Sequence, residues 1–225
     1  MSCVRVIAFD VNETLLDMRH LDPPFEELLG SAGLRPQWFG QMLQLSFVGG
    51  LTGDYVDFSA AQVAALQMLG TRVGREVSPA EAATMVSRMD SLPAHPEVRD
   101  ALARLRTSGL KLVALVNSVK GVGEAQLRNA GLRDFFDVVI SADDVQRLKP
   151  APEPYRAVAQ CFGVDVGQVR LVAAHSWDVT GALAAGCRAA FVARPGMVLS
   201  PLGARPDIVE PDIAAVVDRI LEVDG

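Results

Sequence analysis

Val4-Arg5-Val6-Ile7-Ala8-Phe9 is a short apolar, β-branched run that stops at Asp10-Val11-Asn12-Glu13-Thr14. Apolar residues without polar alternation are the pattern of a strand buried on both faces, and the polar stretch after it reads as a loop. The same unit recurs along the chain. Leu110–Val116 runs into Asn117-Ser118, Phe136–Ile140 into Ser141-Ala142-Asp143-Asp144, and Val169–Ala174 into His175-Ser176-Trp177-Asp178. Helical segments separate these runs: Glu97–Ser108 before Gly109, Gly123–Ala130 before Gly131, one around Pro154–Phe162, and Val179–Ala185 before Gly186. Arg188–Val192 is expected as a last core strand, and Ile208–Val209 as a small one before a helix at Ile213–Leu221.

Strands alternating with helices imply an α/β fold with a parallel sheet and right-handed crossovers. Such sheets bind ligands outside the carboxyl ends of their strands. Four strand ends carry polar groups: Asp10, Asn12 and Thr14; Asn117 and Ser118; Asp143 and Asp144 with Lys149; His175, Ser176 and Asp178. The topology is expected to gather them at one edge. From about Asp17 to Leu92 the texture differs. Apolar residues recur at helical spacing (Phe25, Leu28, Leu29; Trp38, Met42, Leu45; Val63, Leu66, Leu69), and Ser78-Pro79 reads as an N-cap with proline at the first helical position. This block is expected to be all helical and to lie over the sheet edge as a lid.

Composition limits the function classes. The 225 residues are 50% hydrophobic and 21% charged, which excludes disorder as the dominant state. The net charge of −6 and the lack of a basic run argue against nucleic acid. No apolar stretch approaches the roughly 20 residues of a membrane span, and the N-terminus lacks a signal-peptide pattern, so a cytoplasmic location is expected. Cys3, Cys161 and Cys187 have no CxxC spacing and read as three buried fillers in a reducing compartment.

An aspartate in the turn after a buried strand is a candidate carboxylate nucleophile. Attack by Asp10 makes an ester that water then cleaves. Lys149 is placed to keep that carboxylate ionised by lowering its pKa. Thr14 is a candidate hydrogen-bond donor to it, and Asp178 a candidate to orient or activate the water. The alternative is that Asp10 is only a turn residue and Lys149 a surface charge.

Phe9-Asp10-Val11-Asn12-Glu13-Thr14-Leu15-Leu16-Asp17 resembles the first motif of the haloacid dehalogenase superfamily. Ser141-Ala142-Asp143-Asp144 through Leu148-Lys149-Pro150, with Tyr155 six residues after the lysine, is similar to the type II L-2-haloacid dehalogenase branch. So are Ser176-Trp177-Asp178 before an Ala/Gly-rich helix and Tyr55-Val56-Asp57-Phe58. The resemblance implies a Rossmann-like catalytic core over 1–16 and 93–225 and a four-helix-type cap over 17–92. It implies an inverting displacement by Asp10 that expels halide from a short 2-haloalkanoic acid, followed by hydrolysis of the ester without metal or other cofactor. Lys149 then pairs with Asp10, Tyr155 supports the site, Asp178 serves the water step and Asn117 helps receive the halide. A homodimer is a further expectation of the resemblance.

Departures from the family pattern bear on which chemistry survives. Most superfamily members are Mg²⁺-dependent phosphatases with an aspartate two residues after the nucleophile; here it is Asn12, and an amide does not exchange protons as a general acid. Their fourth motif commonly has Gly-Asp where this chain has Ala173-Ala174, so one carboxylate is missing. The dehalogenase branch, in turn, usually has an aromatic at position 12 and a cap arginine for the halide, and alignment of Trp38-Phe39-Gly40-Gln41 puts Phe39 at the arginine. Its second motif has a hydroxyl residue where Val116 stands, with Ser118 the nearby substitute, and Ser and Asn stand where this chain has Ala173 and His175.

The candidate substrate and halide contacts are therefore Val11, Asn12, Phe39, Gln41, Asn117, Ser118, Tyr155, His175 and Trp177. Two readings stand for His175: a packing replacement for asparagine, or a donor to the leaving group or water-positioning base. Trp177 reads first as an aromatic behind the site. The leading expectation is a metal-free dehalogenase of small halogenated carboxylates. The alternatives are a hydrolase of another small acid or phosphate ester on the same fold, and a non-catalytic binding protein.

Overall fold

The computed structural model describes residues 3–225. In chain order the elements are β1 (Val6–Phe9), α1 (Asp22–Leu29), α2 (Leu34–Thr52), α3 (Phe58–Arg72), α4 (Pro79–Ser87), α5 (Val98–Arg106), β2 (Lys111–Val116), α6 (Lys120–Asn129), β3 (Val138–Ser141), α7 (Pro152–Phe162), β4 (Val169–Ala173), α8 (Ser176–Ala185), β5 (Arg188–Val192), β6 (Ile208–Glu210) and α9 (Ile213–Val223). They form two compact units, one of residues 3–17 with 94–225 and the other Met18–Pro93.

The first unit holds a six-stranded sheet in the order β3-β2-β1-β4-β5-β6, every neighbouring pair parallel. β1 is central: Phe9 is level with Ala114 on one side and Val172 on the other. Chain order runs outward from β1 toward β3 and, on the other side, from β4 toward β6. The reversal lies between β1 and β4, the position at which such sheets hold ligands.

Both faces of the strands are buried, as the uninterrupted apolar runs require. Val6, Ala8, Val113, Leu115, Leu171 and Ala173 pack with Tyr155 and Val158 of α7 and Val179 and Ala182 of α8. Their alternates Ile7, Phe9, Leu112, Ala114 and Val172 are buried as well; α9 packs on β5 and β6, α6 on β2 and β3, and α5 on α9. The fully buried exception within β4 is Arg170, whose guanidinium binds Asp224 at 2.6 Å, Asp207 and the Ala189 carbonyl.

In the second unit, Asp57 caps α3 by accepting the Ala60 N–H at 2.9 Å. Ser78 and Glu81 form a reciprocal capping box at α4, with Pro79 in its first turn. The Trp38 ring packs on Phe25 and its indole N–H donates to the Gln62 carbonyl at 2.9 Å. Among the described residues no helix is long and apolar enough to cross a membrane. The element bounds move by a few residues from the sequence reading: α6 begins at Lys120, α7 at Pro152 and α8 at Ser176. The cysteine reading needs correction, because Cys3 and Cys161 are exposed and only Cys187 is buried.

Candidate active site

β1 ends at Phe9, and the Asp10 N–H continues the ladder by donating to the Val172 carbonyl at 3.0 Å. That bond sets Asp10 beside the end of β4. Thr14 is reached one turn later, as the Leu15 and Leu16 N–H groups fold back on the Val11 carbonyl. The Thr14 hydroxyl donates to Asp10 Oδ2 at 2.7 Å and accepts the Ala174 N–H at 2.9 Å. A single side chain thus ties the loop after β1 to the end of β4.

Lys149 is buried, and its Nζ lies 2.9 Å from Asp10 Oδ1 and 2.6 Å from Asp178 Oδ2. Asp178, also buried, accepts at its other oxygen from the Tyr155 hydroxyl at 2.6 Å. The chain of groups is therefore Asp10, Lys149, Asp178, Tyr155. Burial pushes the Asp10 carboxyl up, but the Lys149 charge, with hydrogen bonds from His175 and Thr14, outweighs it and holds Asp10 well below the usual carboxylate range. Burial pushes Lys149 down, and the two aspartates more than restore it. Asp178 is raised, by burial first and then by the charge of Asp10. Burial and Asp178 also raise the Tyr155 hydroxyl well above its ordinary value, so it donates as a phenol.

His175 stands between two carboxylates. Its Nδ1 is 3.1 Å from Asp10 Oδ2 and its Nε2 is 2.8 Å from Glu13 Oε2. Burial pushes the imidazole down; the contacts with Asp10 and Glu13 overcome this and place it at about 9. Trp177 stacks on the His175 ring with centroids 5.3 Å apart and has Lys149 Nζ 5.9 Å from its own ring centre.

The remaining core candidates have defined partners. Asn117 Oδ1 accepts the Lys149 N–H at 2.8 Å and its Nδ2 donates to the Lys149 carbonyl at 3.3 Å. Ser118 Oγ is buried with no hydrogen-bond partner among the described residues, while its carbonyl accepts from Ser141. Asn12 Oδ1 accepts from Gln126 at 3.1 Å, and the Val11 side chain is buried. Asp144 is exposed. Phe39 and Gln41 belong to α2 of the helical unit; there Phe39 is buried and Gln41 bonds Gln44 and Arg72.

Sequence reasoning passed over several groups. Arg194, buried just past β5, donates twice to the Thr14 carbonyl at 2.9 and 2.7 Å and once to Glu97 at 2.8 Å. His95 Nε2 is 3.3 Å from the Glu13 carbonyl. Glu13 has a φ of 61°, a left-handed conformation costly for a residue with a Cβ. The signal for Arg194 was its place at a strand's carboxyl end, the criterion applied to four other strands. Cys187, pushed up to about 12 by burial and Asp178, is no nucleophile.

The superfamily that the first motif resembles consists mostly of Mg²⁺-dependent phosphatases. A hard divalent cation needs several oxygens turned toward it. Here the Asp10 and Asp178 carboxylates converge on an ammonium, which takes the place such an ion requires. These residues do not fit a divalent cation.

Comparison with known proteins adds an independent line. The family model of haloacid dehalogenase-like hydrolases matches residues 4–186. The chain is 30% identical to (S)-2-haloacid dehalogenase of Pseudomonas sp. (strain YL) over 220 residues, 97% of this chain and 95% of that one. It is 28% identical to haloacetate dehalogenase H-2 of Moraxella sp. (strain B), covering 98% of this chain and 99% of that one. Among solved structures it is similar to L-2-haloacid dehalogenase from Xanthobacter autotrophicus with chloropropionic acid covalently bound, at a TM-score of 0.90 and 26% identity over 97% of this chain and 98% of that one.

Proposed function

This chain belongs to the haloacid dehalogenase-like hydrolase family, and on that footing we propose that it cleaves the carbon–halogen bond of short 2-haloalkanoic acids through an ester on Asp10. The observation that carries the reading is the buried Lys149 ammonium between Asp10 and Asp178. It keeps Asp10 ionised inside the protein, the state a carboxylate nucleophile needs, and does so without a divalent cation. The names of the relatives, and the covalent chloropropionic acid in one of them, support the same chemistry.

In this reading an Asp10 oxygen attacks C2 of the acid as the carbon–halogen bond breaks, and the halide departs with the bonding pair. Water then adds to the Asp10 carboxyl carbon, and the carbon–oxygen bond to the former nucleophile oxygen breaks. A 2-hydroxy acid is released, and the Asp10 carboxyl, held low by Lys149, regenerates its carboxylate by giving up water's second proton to solvent. Asp178 takes the water's proton; Lys149, 2.9 Å from Asp10 Oδ1, supplies one to the departing alkoxide and recovers it from Asp178 at 2.6 Å. Ser118 Oγ, a buried hydroxyl in want of a partner, is the donor we assign to the substrate carboxylate. Asn117 acts first by fixing the Lys149 main chain, and its second Nδ2 proton is the one left for the halide. Residues 17–92 are proposed as the cap, with Phe39 and Gln41 its contributions to substrate binding. A cytoplasmic, homodimeric enzyme is part of the same proposal.

The test offers chloroacetate, fluoroacetate, 2-chloropropionate and p-nitrophenyl phosphate to the protein with Mg²⁺ or with EDTA. Halide release that EDTA leaves unchanged is expected, with heavy oxygen from labelled water entering Asp10 before it reaches product. Phosphate release that requires Mg²⁺, with no halide from any acid, overturns the proposal.

A further inference from the structure

The two oxygens of Asp10 are not equivalent. Oδ2 accepts from the Thr14 hydroxyl at 2.7 Å and has His175 Nδ1 at 3.1 Å, whereas Oδ1 has Lys149 Nζ at 2.9 Å. Thr14 has no freedom in this: its hydroxyl oxygen already accepts the Ala174 N–H, so its own proton points at Oδ2. The histidine has none either. A neutral imidazole carries one N–H, yet both ring nitrogens face carboxylate oxygens, so only the doubly protonated ring donates to Asp10 and Glu13 together. A ring in that state cannot serve as the base for water, which removes one of the roles the sequence left open.

Resting on the ester chemistry proposed above, we infer that His175 and Thr14 form the oxyanion site for the hydrolytic step, with Oδ1 the attacking oxygen and Oδ2 the one retained as carbonyl. Two donors occupy Oδ2, so Oδ1 keeps the lone pair for C2. In the ester, Oδ2 is the carbonyl oxygen. When water adds to the carboxyl carbon, the carbonyl π pair moves onto Oδ2, where both donors already point; collapse returns that pair and expels Oδ1 with the 2-hydroxy acid. Donors fixed in advance where charge develops lower a barrier at no cost of reorganisation. They give no such help to the first step, in which negative charge leaves Asp10 for the halide. Glu13 is the positioning residue: its left-handed backbone, with the carbonyl near His95, delivers a carboxylate to the far side of the ring.

Rapid-quench measurements with 2-chloropropionate separate the two steps, chloride reporting displacement and the mass of the Asp10 peptide reporting ester. In His175→Ala, which removes the donor, a full equivalent of chloride is expected at close to the wild-type rate, followed by hydrolysis roughly 100-fold slower and accumulation of ester. Glu13→Gln is expected to show the same split at roughly tenfold, and it carries the test if the histidine variant does not fold. Chloride release slowed as much as turnover, with no ester trapped, overturns the inference while the dehalogenase reading stands. So do hydrolysis rates unchanged in both variants. Wild-type protein that releases no chloride sinks that reading, and this inference with it.

Discussion

Asn117 grips Lys149 at both main-chain atoms of that residue, accepting its N–H at 2.8 Å and donating to its carbonyl at 3.3 Å. The lysine is at the end of a loop from β3, and its ammonium must hold position against two carboxylates. Replacing Asn117 with alanine leaves a buried N–H and carbonyl without partners. Such a loss costs about 1–3 kcal/mol. Asn117→Ala is therefore expected to lower the urea midpoint of the protein and to reduce turnover, because Lys149 no longer sits squarely on Asp10. A variant as stable and active as wild type shows that the loop holds itself.

Stability is expected to fall on both sides of neutrality, for opposite reasons. His175 titrates at about 9 in the folded chain against an ordinary 6.5; burial alone lowers it, and Asp10 and Glu13 reverse that. The folded state therefore binds this proton more tightly. Its stabilisation is complete below pH 6.5 and drains away as pH rises through about 9. Asp10 behaves in the reverse sense. Its carboxyl is depressed, so its contribution is present above the usual carboxylate range and is lost as the pH falls toward the folded value. Urea midpoints measured across this range are expected to decline at the alkaline end in wild type and to stay flat there in His175→Asn. An equal alkaline decline in that variant assigns the effect to another group.

How much of this was readable in advance depends on the physics behind each feature. β1 and Asp10 were legible because an apolar run ending in polar residues is a local signal. Thr14, Lys149 and Asp178 were legible through spacing, although only the parallel order β3-β2-β1-β4 brings them together. Glu13 was not, since its side chain reaches His175 only through a left-handed backbone that no local pattern announces. Arg194 escaped because it follows β5 beside Pro195 and looks like the start of a loop; its target is the Thr14 carbonyl, 180 residues earlier. Arg170 sits inside a strand read as apolar and is tolerated because Asp207 and Asp224 meet it there.

Gly181 of α8 packs tightly against Pro150, in the loop after β3, and against Tyr155 of α7. A Cβ there would lie 2.5 Å from the Pro150 Cβ and 2.7 Å from both the Pro150 carbonyl oxygen and the Tyr155 hydroxyl. Gly181→Ala is thus expected to displace Tyr155 from Asp178 and to cost about 1–3 kcal/mol from overpacking. Because the displaced hydroxyl is shared, the effect on turnover is expected to be less than additive with that of Tyr155→Phe. Strict additivity in a double-variant cycle places the damage at Pro150 alone.

Lys149→Met is the most severe single change open to this site. Lys149 is 1% exposed, and the methionine stem fills much the same volume while removing the charge. Two buried carboxylates, Asp10 and Asp178, then face each other with no cation between them. Stranding buried charge in this way costs about 3–5 kcal/mol. The protein has one relief, which is to bind a proton. Asp178 is already raised by burial and by Asp10, and the opposing pull of Lys149 is gone in the variant, so its carboxyl rises further. An acid whose folded pKa lies above its unfolded one gains stability as pH falls. Lys149→Met is therefore expected to be inactive and to gain more stability than wild type does from pH 7 toward about pH 5. Urea denaturation at the two pH values decides it: parallel behaviour of variant and wild type means that water or a rearranged side chain has replaced the ammonium between the two aspartates.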